Sequence, residues 1–244
     1  MNIVINPKFS RLRSFVENIP ADFENNGELV YTARNQLKKF TVEGYDVIVK
    51  RFKKPHIINR IAYSFVRPSK AKRAYEFALK LLELGVDSPA PIAYIEETKG
   101  GLLDLGYFIS IYEKDYSDIR KLMTGEQTDN ILLRSLVFYI ADFHNKGVLH
   151  YDMSPGNILY REVDGHFDFT LIDINRMEFL PFISNEKRFK SFKRLSETEH
   201  VLTEVATLYA VASNLNEKEA VEKIKRYNFK FNSPSFQFKF QKNK

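Results

Sequence analysis

The sequence predicts an α+β fold, with a small N-terminal antiparallel sheet lobe carrying one or two helices and a mainly helical C-terminal lobe. Three observations carry this expectation. Strand-like runs at 28–32, 37–42 and 45–52 follow one another, with a Glu43-Gly44 turn before the third. Apolar residues of helical period dominate 129–146 and 199–213. The chain has 244 residues, 44% of them hydrophobic and 14% aromatic, enough to bury a core in one domain or in two small lobes around a shared cleft. The expected boundary lies near Tyr112, giving lobes 1–112 and 113–244.

Residues 1–25 mix Asn6, Pro7, Lys8, Arg11 and Arg13 with short apolar runs and are expected to form a peripheral arm. They lack the continuous apolar stretch of a signal peptide, and no run approaches the roughly 20 apolar residues of a membrane span. There is no cysteine, which excludes disulfides and thiolate metal sites. A cytoplasmic protein is expected.

The net charge of +6 is unevenly spread. Residues 50–73 carry nine basic side chains and no acidic one, so the rest of the chain is net −3. Such a block is either a solvated basic face or the mark of an anionic partner nearby. Nucleic acid is not expected, because no nucleic-acid-binding motif accompanies the charge.

Between the first two strands, Ala33-Arg34-Asn35-Gln36 contains no glycine. Of its polar side chains, Arg34 or Asn35 could stand in for backbone amides at an anion. The third strand ends in Val47-Ile48-Val49-Lys50, which by itself marks an ordinary strand-end lysine. Residues 56–66 place Ile57, Ile58, Ile61, Ala62 and Phe65 on one helical face, suited equally to a membrane surface or to the domain core. Ser69 caps the next helix, which runs to Leu84 with Ala71, Ala74, Tyr75, Ala78 and Leu82 as its buried stripe and Gly85 after it. Lys70, Lys72 and Arg73 in its first turn have the wrong sign for the helix dipole.

Strands are expected at 92–95 and 107–112, a short helix at 118–123, and a long one at 129–146 ending before Gly147, with His144 in its buried face. Two further strands, 158–160 and 167–172, flank the hairpin signal Asp164-Gly165. A second basic cluster comprises Lys187, Arg188, Lys190, Lys193 and Arg194. The tail alternates aromatic and polar residues, Phe229-Lys230-Phe231 and Phe236-Gln237-Phe238-Lys239-Phe240, and suits an edge strand, a membrane-contacting tail or loose structure.

The chemistry concentrates at 147–173. Asp152 and Asn157 lie five residues apart, and the hairpin that follows delivers Asp173. That is the layout of a phosphoryl-transfer site: one carboxylate accepts a hydroxyl proton, while an amide oxygen and a second carboxylate hold the metal on ATP. A rival set, His150, Asp152 and His200, has the order of a two-histidine, one-carboxylate iron site. Those sites sit on the strands of a barrel, whereas a long helix precedes His150 and His200 falls at a helix start, so this reading ranks second.

His150-x-Asp152-x-x-x-x-Asn157 with a strand-borne Asp173 resembles the catalytic and metal-binding loops of the protein-kinase-like superfamily. The resemblance implies a bilobal kinase-like fold with ATP and Mg2+ as cofactors. Asp152 is then the base, with Asn157 and Asp173 as metal ligands. Lys50 would reach the α- and β-phosphates and pair with Glu76, while the backbone of 110–113 would meet adenine. The missing glycine-rich loop, Ile174-Asn175-Arg176 in place of Phe-Gly, and Tyr151 after His150 depart from the protein-kinase pattern.

Leu149-His150-x-Asp152-Met-Ser-Pro-Gly-Asn157-Ile-Leu, with Leu171-Ile172-Asp173-Ile-Asn-Arg176 and the lysine-rich 67–76 segment, is similar to bacterial lipopolysaccharide core kinases, which phosphorylate Kdo or heptose. This likeness implies an anionic glycolipid acceptor, the lipopolysaccharide inner core. The two basic segments would meet it or the inner membrane face, giving peripheral membrane contact. A kinase acting on a protein or small molecule, and a non-catalytic nucleotide-binding pseudokinase, remain open beside it.

Overall fold

The computed structural model describes residues 1–33 and 35–233, and these form two compact units divided between Lys114 and Asp115. In chain order the first unit contains β1 (Asn2–Ile5), α1 (Arg13–Asp22), β2 (Glu28–Thr32), β3 (Asn35–Val42), β4 (Tyr45–Phe52), α2 (Ile57–Phe65), α3 (Lys70–Glu83), β5 (Pro91–Lys99) and β6 (Leu102–Ile111). Its strands make one six-stranded sheet in the order β1-β5-β6-β4-β3-β2, every neighbouring pair antiparallel. The β3–β4 hairpin turns on Glu43 and Gly44, both left-handed at φ 50° and 77°, as its Glu-Gly pair predicts.

Alternation along the strands gives the sheet two different faces. Val47, Val49, Ile95, Tyr107 and Ile109 point to one face and are covered by Phe9, Leu12, Val16, Ile19 and Phe23. Residues 1–25 are therefore no peripheral arm. β1 pairs with β5, α1 closes the core, and Lys38 Nζ donates to the carbonyls of Phe23 (2.7 Å), Glu24 and Asn26 (both 3.0 Å) just beyond the helix. Without this segment a row of large apolar side chains would face water, each forgoing about 1.5–3 kcal/mol of burial.

The opposite face carries Lys50 and Phe52 and packs against α3 through Ala71, Ala74, Tyr75 and Tyr94. Ser69 caps α3 by accepting from the Lys72 amide at 3.1 Å. The inward stripe ends in Leu81, whereas Leu82, expected inside, is 40% exposed. Both leucines lie on the stripe, at i+3 and i+4 from Ala78, and in this last turn of the helix only Leu81 of the two is buried.

The second unit contains β7 (Ser117–Asp118), α4 (Arg120–Thr124), α5 (Asn130–Asn145), β8 (Val148–His150), β9 (Ile158–Val163), β10 (His166–Leu171), β11 (Met177–Phe179), α6 (Asn185–Ser191), α7 (Glu199–Ser213) and α8 (Glu217–Asn232). The β9–β10 hairpin turns at left-handed Asp164 and Gly165, and β8 pairs with β11. α5 presents Leu133, Leu136, Val137, Ile140 and His144 to the core. α7 buries Val201, Leu202, Val205, Ala206, Tyr209 and Ala210. Phe229-Lys230-Phe231 is helical, part of α8, because Ala220, Ile224 and Asn228 recur every fourth residue on its buried side. The remaining tail residues, Phe236 to Phe240, and Arg34 lie outside the described residues. Among those described, no helix is long and apolar enough to cross a membrane.

His144 is a core histidine. Its Nδ1 pairs with the Tyr209 hydroxyl at 2.8 Å, linking α5 to α7, and its Nε2 lies 3.4 Å from Ser191 Oγ. Burial pushes its pKa down to about 3 from an ordinary 6.5, so the folded state keeps it neutral where the unfolded chain takes up a proton. The stabilisation from this neutral imidazole is complete above about pH 6.5 and is lost as pH falls toward 3. Denaturant unfolding at pH 7 and pH 5 checks this. The loss of stability between the two should shrink by about 2 kcal/mol in His144→Phe, and an unchanged loss would contradict it.

Candidate functional site

The loop bearing Asp152 is anchored at both ends by backbone requirements. α5 begins with Asp129 accepting from the Leu132 amide at 2.8 Å, and it delivers the chain to Gly147. Gly147 is left-handed (φ 79°) and lies against Leu180, whose amide donates to the Gly147 carbonyl at 2.8 Å. A Cβ at 147 would overlap the Leu180 carbonyl oxygen. β8 then pairs with β11, and after Asp152 a 3₁₀ turn at Pro155–Asn157 returns the chain into β9.

His150 is fully buried, and burial lowers its pKa, favouring the neutral imidazole. Its Nδ1 accepts from the Asp152 amide at 3.0 Å, which places the proton on Nε2, 3.4 Å from the Ile172 carbonyl oxygen. One ring thus joins the Asp152 loop to the strand end that presents Asp173. The Asp152 carbonyl accepts from the Ser154 amide and from Asn157 Nδ2, both at 2.8 Å. The Ile172 amide donates to the Asn157 carbonyl at 3.0 Å, closing the circuit. Asp152 and Asn157 are therefore held in one hydrogen-bonded unit with Ile172, the residue before Asp173.

Asp173 itself is left-handed (φ 52°), an uncommon conformation for a residue with a side chain, and its Oδ1 accepts from Asn175 Nδ2 at 2.7 Å. Asn175 and Ile174, standing where protein kinases have Gly and Phe, are both buried. The donor set suits a hard cation. It is a carboxylate and an amide whose NH2 is spent on the Asp152 carbonyl, so the Asn157 atom able to ligate is its oxygen.

The Asp152 carboxylate, 14% exposed, meets two guanidinium groups. Arg176 Nη1 lies 3.2 Å from Oδ2, and Arg194 pairs with Oδ1. Lys193 stands beside them, its pKa lowered by burial first and then by Lys190, Arg194 and Arg176, with Asp152 opposing. Cations thus outnumber the carboxylate they surround. Arg176 and Arg194 were present in the sequence signals, one in the Leu-Ile-Asp-Ile-Asn-Arg run and one in the 187–194 cluster. Their convergence on Asp152 depends on tertiary placement that neither signal encodes.

One expectation fails, and so does the rival iron reading. Glu76 does not pair with Lys50: its carboxylate is 46% exposed and meets Lys72, one turn earlier on α3, at 3.7 Å. The inward positions of that helix are filled by Ala74, Tyr75 and Ala78, and position 76 falls on the opposite side. The iron triad also fails. His200 is exposed beside Gly125, while both nitrogens of His150 are engaged by backbone groups. Among the described residues no three His, Cys, Asp or Glu side chains cluster for a metal. Tyr151, in place of an arginine, donates to Glu178, which pushes its hydroxyl pKa up to about 12. In the first unit Asn35 Oδ1 accepts from the Lys53 amide at 3.3 Å, and the amides of Ile111 and Tyr112 donate to Ala90 and Asp46.

The family model described as the lipopolysaccharide kinase (Kdo/WaaP) family matches residues 31–211. The solved structure of WaaP in complex with acyl carrier protein matches with a TM-score of 0.64 at 17% identity, over 96% of this chain and 100% of that one. At that identity the likeness speaks for the fold, which is kinase-like α+β as the sequence predicts. No curated protein sequence matches the chain.

The Gly147 anchor is open to a direct check. Gly147→Ala adds left-handed strain and the overlap with Leu180, and should cost more than about 1 kcal/mol in denaturant unfolding. Wild-type stability in the variant would contradict the close approach.

Proposed function

The chain belongs to the lipopolysaccharide kinase (Kdo/WaaP) family, and from that premise we propose that it transfers the γ-phosphoryl group of ATP to a Kdo or heptose hydroxyl of the lipopolysaccharide inner core. The observation that carries the reading is the hydrogen-bonded unit in which neutral His150 joins Asp152 and Asn157 to Ile172, the residue before Asp173.

In this reading Asp152 takes the proton of the attacking sugar hydroxyl at its carboxylate. Its backbone is fixed by two donors on its own carbonyl and by the His150 ring, so the carboxylate is positioned before substrate arrives. Arg176 and Arg194 orient it. Arg176 is 55% exposed, which lets it also meet an acidic group on the acceptor, in keeping with an anionic glycolipid. Asn157 and Asp173 hold Mg2+, which when bound neutralises charge on the phosphates. Lys50, on the same face of β4 as Phe52, would add positive charge for the nucleotide, while Glu76 meets Lys72 instead. The reaction belongs in the cytoplasm, where ATP is supplied.

Two variants separate the roles. Asp152→Asn should lower kcat about 10²- to 10⁴-fold while leaving ATP affinity near wild type. Asp173→Ala should weaken Mg2+-dependent ATP binding by about tenfold or more. Unchanged turnover in Asp152→Asn would remove it as the base, and unchanged Mg2+ dependence in Asp173→Ala would remove the metal assignment.

A further inference from the structure

α2 is an amphipathic helix mounted with its polar side inward. Arg60 Nε donates to the Leu103 carbonyl at 2.6 Å, and Arg60 Nη2 lies 3.3 Å from Asp104 Oδ1. Ser64 Oγ accepts from the Leu103 amide at 2.9 Å. These bonds fix the rotation of the helix on β6 and leave its apolar side outward. Ile57, Ile58, Ile61 and Phe65 are 56%, 78%, 48% and 75% exposed, and Val66 beyond them is 82% exposed. None of the helix residues is buried. The dual reading of this stretch in the sequence is thus resolved against the core.

Charge decides what covers the face. The helix lies inside the 50–73 block of nine basic and no acidic residues, with Lys53 and Arg67 exposed on either side of it. The nearby carboxylate, Asp104, is paired with Lys54 and Arg60. A second copy of this chain would bring like charge against like. A nine-residue convex helix also offers apolar side chains as projections rather than as a groove. Projecting apolar side chains flanked by cations suit a soft apolar layer under anionic headgroups.

We propose that α2 docks the protein on an anionic lipid leaflet, inserting Ile57, Ile58, Ile61 and Phe65 while Lys53 and Arg67 meet the headgroup phosphates. This goes beyond the phosphotransfer reading and does not depend on it, since docking requires neither nucleotide nor acceptor. It would place the enzyme on the surface in which a lipid-anchored acceptor resides.

Co-sedimentation of the full chain with phosphatidylglycerol-containing vesicles, and with pure phosphatidylcholine vesicles, tests the inference. The wild-type chain should bind the anionic vesicles at least tenfold more tightly than the neutral ones, and less tightly as salt rises. Ile58→Asp/Phe65→Asp should reduce that binding at least tenfold with unchanged circular dichroism. Ile131→Asp, at a 70% exposed apolar position on α5, should not. Equal binding by the double variant and the wild type, or no vesicle binding by the wild type, would overturn the proposal. So would a concentration-dependent dimer that the double variant abolishes. A chain that binds vesicles but transfers no phosphate would refute the kinase reading and leave this one standing.

Discussion

The candidate site depends on one neutral imidazole in a place where it cannot be solvated. His150 has no exposed surface, and its ring has a donor on one side and an acceptor on the other. Protonating it would set an N–H against the Asp152 amide in a medium where an unsatisfied buried donor costs about 1–3 kcal/mol. Burial therefore keeps the ring neutral, the amide at Nδ1 and the carbonyl near Nε2 select one tautomer, and the ring then links the Asp152 amide to the Ile172 carbonyl. The Gly147–Leu180 approach on one side and the Ile172–Asn157 bond on the other hold the remaining freedom of the loop.

Keeping a carboxylate in such a place requires compensation, and Arg176 and Arg194 supply it. A carboxylate with 14% exposure forgoes much of its hydration, and losing one partner of a partly buried pair usually costs more than the pair contributes. The surplus of positive charge, with Lys193 already disfavoured as a cation by its surroundings, leaves the neighbourhood short of anions. Phosphate and acidic sugar groups would answer that shortage. The same surplus links the site to the 187–194 cluster, which in the sequence looks like a surface feature and in the fold partly encloses Asp152.

Local signals were legible and long-range ones were not. The Glu43-Gly44 and Asp164-Gly165 hairpins, the Ser69 cap and the α5 stripe are set by residues within a few positions of one another, and each appears where its chemistry requires. Asp152 and Asn157 are only five positions apart, whereas Asp173 follows them across the whole β9–β10 hairpin. The N-terminal segment was misjudged because Pro7, Asn6 and several arginines interrupt it. The spacing of Phe9, Leu12, Val16, Ile19 and Phe23, alternately three and four residues apart, was the signal available. Glu76 was assigned by its order in the chain, and one position of helical phase suffices to take a carboxylate off the sheet-facing side of α3. The outward α2 face was undecidable from periodicity alone, since burial and membrane contact need the same pattern. Only the Arg60 and Ser64 bonds to β6 distinguish them.

Family membership is shown, and the Asp152 unit with its cationic surroundings supports the proposed phosphorylation of an acidic glycolipid sugar. The most direct measurement is mass spectrometry of isolated lipopolysaccharide inner core incubated with the protein, ATP and Mg2+, with each omitted in turn. The account predicts a core heavier by one phosphate, on a Kdo or heptose residue, only when all three are present. An unchanged core mass under conditions where the protein binds ATP would contradict it.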